Sequence, residues 1–375
     1  MTVPFLDLRV ADAAATGAVR AALAEVVESR QLVLGPHVER FERAMAAYCG
    51  VPHAVGVASG TDALVLALAA LGAGPGTAVV TTPFSFFATA SAIVRVGARP
   101  LFADIDPATL NLDPAAVEAT LAGAQATVVG LLPAHLFGRL APMGVLRPLA
   151  ARHGLWMLED AAQAIGARAD GTAAGAFGRA GCLSFYPTKN LGGLGDGGMV
   201  LTADPELAAR IRRDRHQGQR AAYVHETIGL CSRLDALQAA ALGAKLPHLD
   251  TWNAERRTIA GWYGSGLAER GLAGRPGAPL VAPAPAGAAH VFHAYVVRAR
   301  ERDRLRAHLE AAGVGTQVYY ARPLHLQPAL AHLGPRPGAL PEAERAAAEV
   351  LALPIYPGLT HAQVDTVVEA IASYY

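Results

Sequence analysis

Residues 182–198 read Cys-Leu-Ser-Phe-Tyr-Pro-Thr-Lys-Asn-Leu-Gly-Gly-Leu-Gly-Asp-Gly-Gly. A short apolar run, Cys182 to Phe185, leads into a lysine and a glycine cluster, and Met199-Val200-Leu201-Thr202 beyond them is again strand-like. Lys189 is one of only two lysines in the chain, the other being Lys245; all other basic residues are arginines. Arginine cannot lose its proton in a protein, whereas a desolvated lysine can become a nucleophilic amine able to form a Schiff base with a carbonyl. Taken alone, the stretch also fits a surface lysine in a flexible loop.

Outward from it, short apolar runs alternate with helical stretches. Ala54 to Val57 precedes a helical run from Asp62 to Leu71, Ala78 to Thr82 one from Thr89 to Val96, and Pro100 to Asp104 one opening at Asp113-Pro114. Thr127 to Leu132, Leu155 to Leu158 and Cys182 to Phe185 continue the series. Strands that are apolar on both faces and alternate with helices predict a mostly parallel sheet covered on both sides. Helical spacing also runs over Asp12 to Ser29, His37 to Tyr48, and Leu234 to Tyr263 with an interruption at Pro247. Composition shifts to Gly, Pro and Ala over Gly271 to Gly287. Beyond that lie a strand-like run from His293 to Arg298 and helices over Arg302 to Ala312, Glu342 to Leu351 and His361 to Ser373. The expectation is an α/β protein with a large domain over residues 1–250 and a smaller α+β domain over 251–375.

Bulk properties narrow the function. With 52% hydrophobic and 17% charged residues over 375 positions, the chain can bury a large core and shows no signature of disorder. A net charge of +1 with no basic run gives no footprint for nucleic acid. Cys49, Cys182 and Cys231 are odd in number, far apart and without metal-type spacing, which fits a reducing compartment. Met1 to Leu8 lacks the basic start and apolar core of a signal peptide. The uncharged span from Ala63 to Val94 is divided by Gly74-Pro75-Gly76 and Pro83 into pieces too short to cross a membrane. A cytoplasmic protein, free of membrane and nucleic acid, is expected.

In open α/β sheets ligands bind at the carboxyl ends of the strands. Ser59-Gly60-Thr61 follows one strand and opens a helix, a place where backbone N–H groups bind phosphate or where Ser59 or Thr61 simply caps. Asp160 ends the run Leu155 to Glu159, where a part-buried carboxylate would need a cation or serve as a cap. Gly193 to Gly198 formally matches G-x-G-x-x-G, but the β-like sequence after it denies the dinucleotide fingerprint its helix. His290 and His293 lack partners that would fix a metal geometry, so no metal is expected and they suit packing or a substrate-facing position. Jointly, a phosphate-binding helix start, a strand-end aspartate and a loop lysine describe a site for pyridoxal phosphate.

Nearly the whole chain resembles the DegT/DnrJ/EryC1/StrS family of sugar aminotransferases, which are fold-type-I pyridoxal phosphate enzymes. The resemblance is carried by Val3 to Leu8, Ser59 to Leu64, Pro83 to Thr89, His135-Leu136-Phe137-Gly138, Glu159 to Gln163, Ser184 to Gly198, Ser232 to Asp235 with Gln238 to Ala240, and Pro323 to Pro328. It implies that Lys189 is the Schiff-base lysine and proton shuttle. Asp160 would pair with the pyridine nitrogen, Gln163 touch the ring hydroxyl and Phe86 stack on the ring. Gly60, Thr61 and Ser184 would hold the phosphate. It further implies a homodimer with active sites at the subunit interface, with Tyr186, Arg233, Tyr320 and His325 as candidates for the substrate side or, for Arg233, a dimer contact. Where the family has an asparagine that reaches the neighbouring subunit's phosphate, this chain has Cys231, a much weaker donor, which predicts looser cofactor binding. Asp196 stands where glutamate is common, and Tyr319 where a histidine often precedes the tyrosine at Tyr320. The implied reaction is transfer of an amino group from L-glutamate to a keto group, at C3, of a nucleotide-linked deoxysugar such as a dTDP-3-keto-6-deoxyhexose, in amino-sugar biosynthesis. A dehydratase of the same family and a non-catalytic regulator that keeps the cofactor pocket are the alternatives; the dehydratases typically replace the lysine by histidine.

Overall fold

The side-chain period of two along each apolar run decides how the chain is layered. In the computed structural model, which describes residues 2–334 and 336–375, seven of these runs form one sheet. They are β1 (His53–Val57), β2 (Thr77–Thr81), β3 (Arg99–Phe102), β4 (Thr127–Leu132), β5 (Trp156–Asp160), β6 (Ala180–Ser184) and β7 (Gly198–Thr202), in the order β1-β7-β6-β5-β4-β2-β3. Pairings from β3 through β6 are parallel; β7, inserted between β1 and β6, is antiparallel to both. The expected α/β class with a mostly parallel central sheet is what the chain adopts.

One face of the sheet presents Val55, Val57, Val79, Leu132, Leu158, Cys182 and Val200, packed with Leu64 and Leu68 of helix Gly60–Ala70, Ile93 of Phe87–Arg95 and Ile211 of Pro205–Asp214. The alternate residues face the other way. Ala54, Leu183, Met199 and Leu201 meet Phe41 and Met45 of helix Pro36–Cys49 and Leu242 of Ala236–Lys245, while Val80, Leu131 and Met157 meet Leu146 and Leu149 of Met143–Arg152. Both faces are dry, as a parallel sheet requires.

A second core surrounds the antiparallel sheet Leu280–Val281, Tyr295–Ala299 and Val350–Leu353, covered by helices Arg302–Ala311 and His361–Ala372. The strand Val350–Leu353 corrects the expected helix over Glu342 to Leu351. That helix stops at Glu349, and the next residues pair with Tyr295 to Arg298. Helix Leu249–Glu269 belongs to both cores, Leu249 and Trp252 packing into the first and Ile259, Tyr263 and Leu267 into the second. The division expected at residue 250 falls at the start of this helix. The amino-terminal segment also joins the second core. Val3 is buried there, donates its N–H to Gly313 O at 2.9 Å and bridges Val314; Met1 lies outside the described residues. Among the described residues no helix is long and apolar enough to cross a membrane, and no cluster of His, Cys, Asp and Glu could hold a metal.

Candidate active site

The carboxyl ends of β1, β2, β4, β5 and β6 open onto one cavity of about 480 Å³. Its wall includes Ser59, Gly60 and Thr61 after β1, Ser85 and Phe86 after β2, His135 after β4, Asp160 and Gln163 at the end of β5, and Ser184, Tyr186 and Lys189 after β6. Tyr319, Tyr320 and His293, from the part of the chain beyond helix Leu249–Glu269, complete it.

Lys189 is held there by its loop. Its N–H donates to Tyr186 O at 2.8 Å, Gly193 N to Phe185 O at 2.7 Å, and Phe185 N to Gly197 O at 2.8 Å. Lys245, the second lysine, braces the same loop: buried, its Nζ donates to Gly192 O at 2.9 Å and to Asp12 Oδ2 at 2.5 Å. The two lysines thus divide their work. Lys245 is neutralised by a carboxylate and structural, whereas among the described residues Lys189 forms no ion pair and faces the cavity. Burial pushes the Lys189 amine down from its ordinary 10.5 to about 8, with Asp160 pulling the other way. Such an amine can be neutral, and so nucleophilic, near physiological pH.

The glycines of this loop serve packing. A Cβ on Gly192 would lie 2.2 Å from Pro187 O, and one on Gly198 would lie 2.3 Å from Ser59 O. None of the loop glycines lines the cavity. They let the loop lie against neighbouring backbone, and β7 starts directly after them, so no dinucleotide turn forms.

Asp160 is 7% exposed. Its Oδ2 accepts from Thr89 Oγ1 at 2.7 Å, Thr89 in turn meets Ser85 Oγ at 2.9 Å, and Oδ1 accepts from Ala162 N at 3.2 Å. Among the described residues no arginine, lysine or histidine pairs with it. A buried carboxylate without a counter-charge is costly. The open side of this one is the cavity, so a cationic ring nitrogen placed there would supply the missing charge. Elsewhere on the wall, Ser59 Oγ caps helix Gly60–Ala70 by accepting from Asp62 N at 3.1 Å. The N–H groups of Gly60 and Thr61 have no intrahelical partner and suit a phosphate. A Cβ on Gly60 would meet Ser184 Cβ at 2.7 Å, so only glycine lets these two phosphate candidates approach. Phe86 stands 55% exposed on the cavity wall, with the Tyr320 ring 6.2 Å away. Gln163 accepts from Phe137 N at 2.7 Å and donates to the Tyr320 hydroxyl at 3.0 Å; burial pushes that phenol's pKa up. The residues present fit pyridoxal phosphate at both its charged ends.

Nine of the sequence-predicted residues, Gly60, Thr61, Phe86, Asp160, Gln163, Ser184, Tyr186, Lys189 and Tyr320, converge on the cavity wall. Three do not. His325 is buried, its Nε2 3.1 Å from Glu344 Oε1 and its ring tilted on Phe102; the 3₁₀ turn Leu324–Leu326 points it into the core. Cys231 and Arg233 lie outside the cavity of their own chain. Arg233 Nη2 donates to Cys231 Sγ at 3.0 Å, and its Nη1 meets His216 Nδ1 at 2.8 Å. Sequence reasoning gave no role to Ser85, Thr89 or His135, although Ser85 and His135 follow the carboxyl ends of β2 and β4, where the strand-end rule that located Asp160 also applies. His135 is fixed from both sides: its Nδ1 accepts from Ala141 N at 3.1 Å and its Nε2 meets Glu159 Oε2 at 2.9 Å, and Glu159 also accepts three backbone N–H groups.

A family model described as the DegT/DnrJ/EryC1/StrS aminotransferase family matches residues 15–372. A Streptomyces venezuelae protein named dTDP-3-amino-3,4,6-trideoxy-alpha-D-glucose transaminase is 46% identical over 374 residues, covering 99% of this chain and 96% of its own. A Geobacillus stearothermophilus protein named pleiotropic regulatory protein is 46% identical over 376 residues, covering 100% and 99%. A crystal structure described as S. venezuelae DesV in complex with a ketimine intermediate matches with a TM-score of 0.94 at 46% identity, over 100% of this chain and 98% of that one.

Proposed function

The chain belongs to the DegT/DnrJ/EryC1/StrS aminotransferase family, and from that premise we propose that it is a cytoplasmic, pyridoxal 5′-phosphate-dependent nucleotide-sugar aminotransferase. It takes the amino group of L-glutamate and delivers it to a keto group, at C3, of a nucleotide-linked deoxysugar such as a dTDP-3-keto-6-deoxyhexose. The observation that carries this reading is the pair lining one cavity: a desolvated lysine and a buried aspartate, neither of which forms an ion pair among the described residues. Bound pyridoxal phosphate supplies an electron sink that makes a proton on the substrate carbon removable.

The chain's own residues do the rest. Lys189 Nζ takes and returns that proton, which its lowered pKa permits near neutral pH. Asp160, oriented by Thr89, holds the ring nitrogen protonated. Gly60, Thr61 and Ser184 receive the phosphate, Phe86 covers the ring, and Gln163 faces the ring hydroxyl. Tyr186 and Tyr320 face the substrate.

A homodimer is supported by the exposed apolar residues near the lysine loop. Leu32 and Val33 lie beside Asp235 and Ala236; Leu194 is tied to Gln238, and Leu237 is exposed on the same helix start. The arm at Tyr223, Val224 and Ile228 adds further uncovered apolar surface.

The test is spectroscopic. Purified holoprotein mixed with L-glutamate should lose its pyridoxal absorbance and gain that of the pyridoxamine form, and Lys189→Ala should abolish turnover. A panel of keto-sugar nucleotides then identifies the acceptor. A regulatory role is favoured by the name of the Geobacillus relative; an unchanged spectrum with glutamate would support it and refute the transaminase. Lys189 itself argues against the dehydratase.

A further inference from the structure

The cavity wall holds one more group with directed chemistry, and it comes from the second core. His293 lines the cavity just before strand Tyr295–Ala299. Its Nδ1 lies 3.3 Å from Asn190 Oδ1, and Asn190, next to Lys189, is buried behind the wall. Which atom carries the proton follows from the amides behind it. Asn190 Nδ2 donates to the backbone carbonyl of Val291 at 3.0 Å, which only a donor can do, and to Asn253 Oδ1 at 2.7 Å. Asn253 is oriented the same way, its Nδ2 donating to Ile165 O at 3.1 Å. With both amides fixed by carbonyls, Asn190 Oδ1 is an acceptor and His293 Nδ1 must donate to it. Nε2 is left as a lone pair, and among the described residues it makes no protein hydrogen bond.

We propose that His293 is a substrate-facing hydrogen-bond acceptor, locked in its Nδ1–H tautomer by the Asn253–Asn190 relay, that presents Nε2 to an N–H or O–H donor on the substrate. The inference rests on the aminotransferase reading only for the identity of that donor: the amino group of L-glutamate or a sugar hydroxyl. The ring stays neutral because burial first, and then the charges of Lys189 and Arg256, hold its pKa well below the ordinary histidine value. A neutral imidazole accepts without adding a cation beside the lysine that has to lose one. The relay also reaches Ile165 in the large domain through helix Leu249–Glu269, so His293 is registered against Lys189 by three segments of the chain.

Two measurements test it. In the first, holoenzyme labelled with ¹⁵N-histidine is titrated from pH 5.5 to 8.5, with the His293 signal assigned by its loss in His293→Gln. The expected signal is that of a neutral ring protonated at Nδ1, unmoved by pH. A signal protonated at Nε2, or one titrating near 6.5, overturns the proposal, whether or not the protein is a transaminase. In the second, single half-reactions are followed with L-glutamate and with dTDP-3-keto-6-deoxyglucose. His293→Leu should slow one of them by about 10- to 100-fold, the scale of a hydrogen bond to a charged partner, while His293→Gln, which keeps an acceptor, restores most of the rate. Loss with L-glutamate assigns the amino group, and loss with the sugar nucleotide assigns a hydroxyl. Less than about twofold loss in both, with wild-type reacting, overturns the proposal.

Discussion

If Lys189 is held at a pKa of about 8, the cofactor-free protein should carry a measurable thermodynamic penalty at its own active site. The drop from 10.5 to about 8 corresponds to roughly 3 kcal/mol favouring the neutral amine. The unfolded chain keeps its lysine protonated up to its ordinary value, and the folded chain only to about 8. Between those values the unfolded state holds the extra proton, so stability rises with pH across that window; below about 8 the full cost is present. Lys189→Met, which keeps the length of the chain and removes the charge, should therefore stabilise the cofactor-free protein at pH 7 by up to about 3 kcal/mol, an advantage that fades toward pH 10.5. Urea melts of both proteins at the two pH values measure it. The amine can also be observed directly in the cofactor-free protein: reductive ¹³C-methylation reaches Lys189 through the cavity, whereas Lys245 is buried against Asp12, and the Lys189 signal should titrate near 8. Because Asp160 raises this pKa, Asp160→Asn should move that titration lower still. A Lys189 signal that titrates at 10 or above, or a Lys189→Met protein less stable than wild type at pH 7, would refute the reasoning.

Other expectations concern the groups around it. Thr89→Val removes the hydroxyl that orients Asp160 and should lower kcat by roughly tenfold, with pyridoxal absorbance at a given pH shifted toward the deprotonated ring; an unchanged spectrum and rate would leave Thr89 without a role. Gly60→Ala forces a Cβ to 2.7 Å from Ser184 Cβ and should cost about 1–3 kcal/mol of stability, read as a lower melting temperature together with weaker phosphate-end binding. Cys231→Asn should tighten pyridoxal phosphate binding about tenfold or more. Arg233→Ala should weaken it if that guanidinium, 3.0 Å from Cys231 Sγ, makes the phosphate contact proposed for this position in place of the weak thiol donor; cofactor titration by fluorescence separates the two.

The large sheet was legible because each strand is apolar on both faces, a pattern that only a doubly covered sheet satisfies. Thr127–Leu132 falls where the apolar run predicts it, and β7 is the strand-like run expected after the lysine loop, though its insertion between β1 and β6 pairs it with β1 across more than a hundred residues. Non-local pairing is also why Val350–Leu353 was missed, since nothing in an alanine-rich run announces that its end will meet Tyr295 to Arg298. Helices Met143–Arg152 and Pro205–Asp214 were not anticipated, the first because Pro148 lies within it. In the site, Lys189, Asp160 and Gly60 were readable because strand ends converge by topology. His325, a candidate only through the family resemblance of Pro323 to Pro328, lies off the cavity wall because one 3₁₀ turn sends it inward. The Asn253–Asn190–His293 chain joins residues with separations of 63 and 103 and leaves no periodic trace.

The scarcity of lysine has a practical consequence. One lysine is buried against Asp12 and the other faces the catalytic cavity, so no ε-amine stands on the outer surface. Amine-directed cross-linkers, biotinylation reagents and activated resins will find no lysine there, and where they do reach Lys189 they should inactivate the protein before they decorate it. A failed amine cross-link would thus say nothing about a dimer. Attachment chemistry for this protein has to go through carboxylates, the exposed Cys231 thiol or Tyr223, a residue 94% exposed.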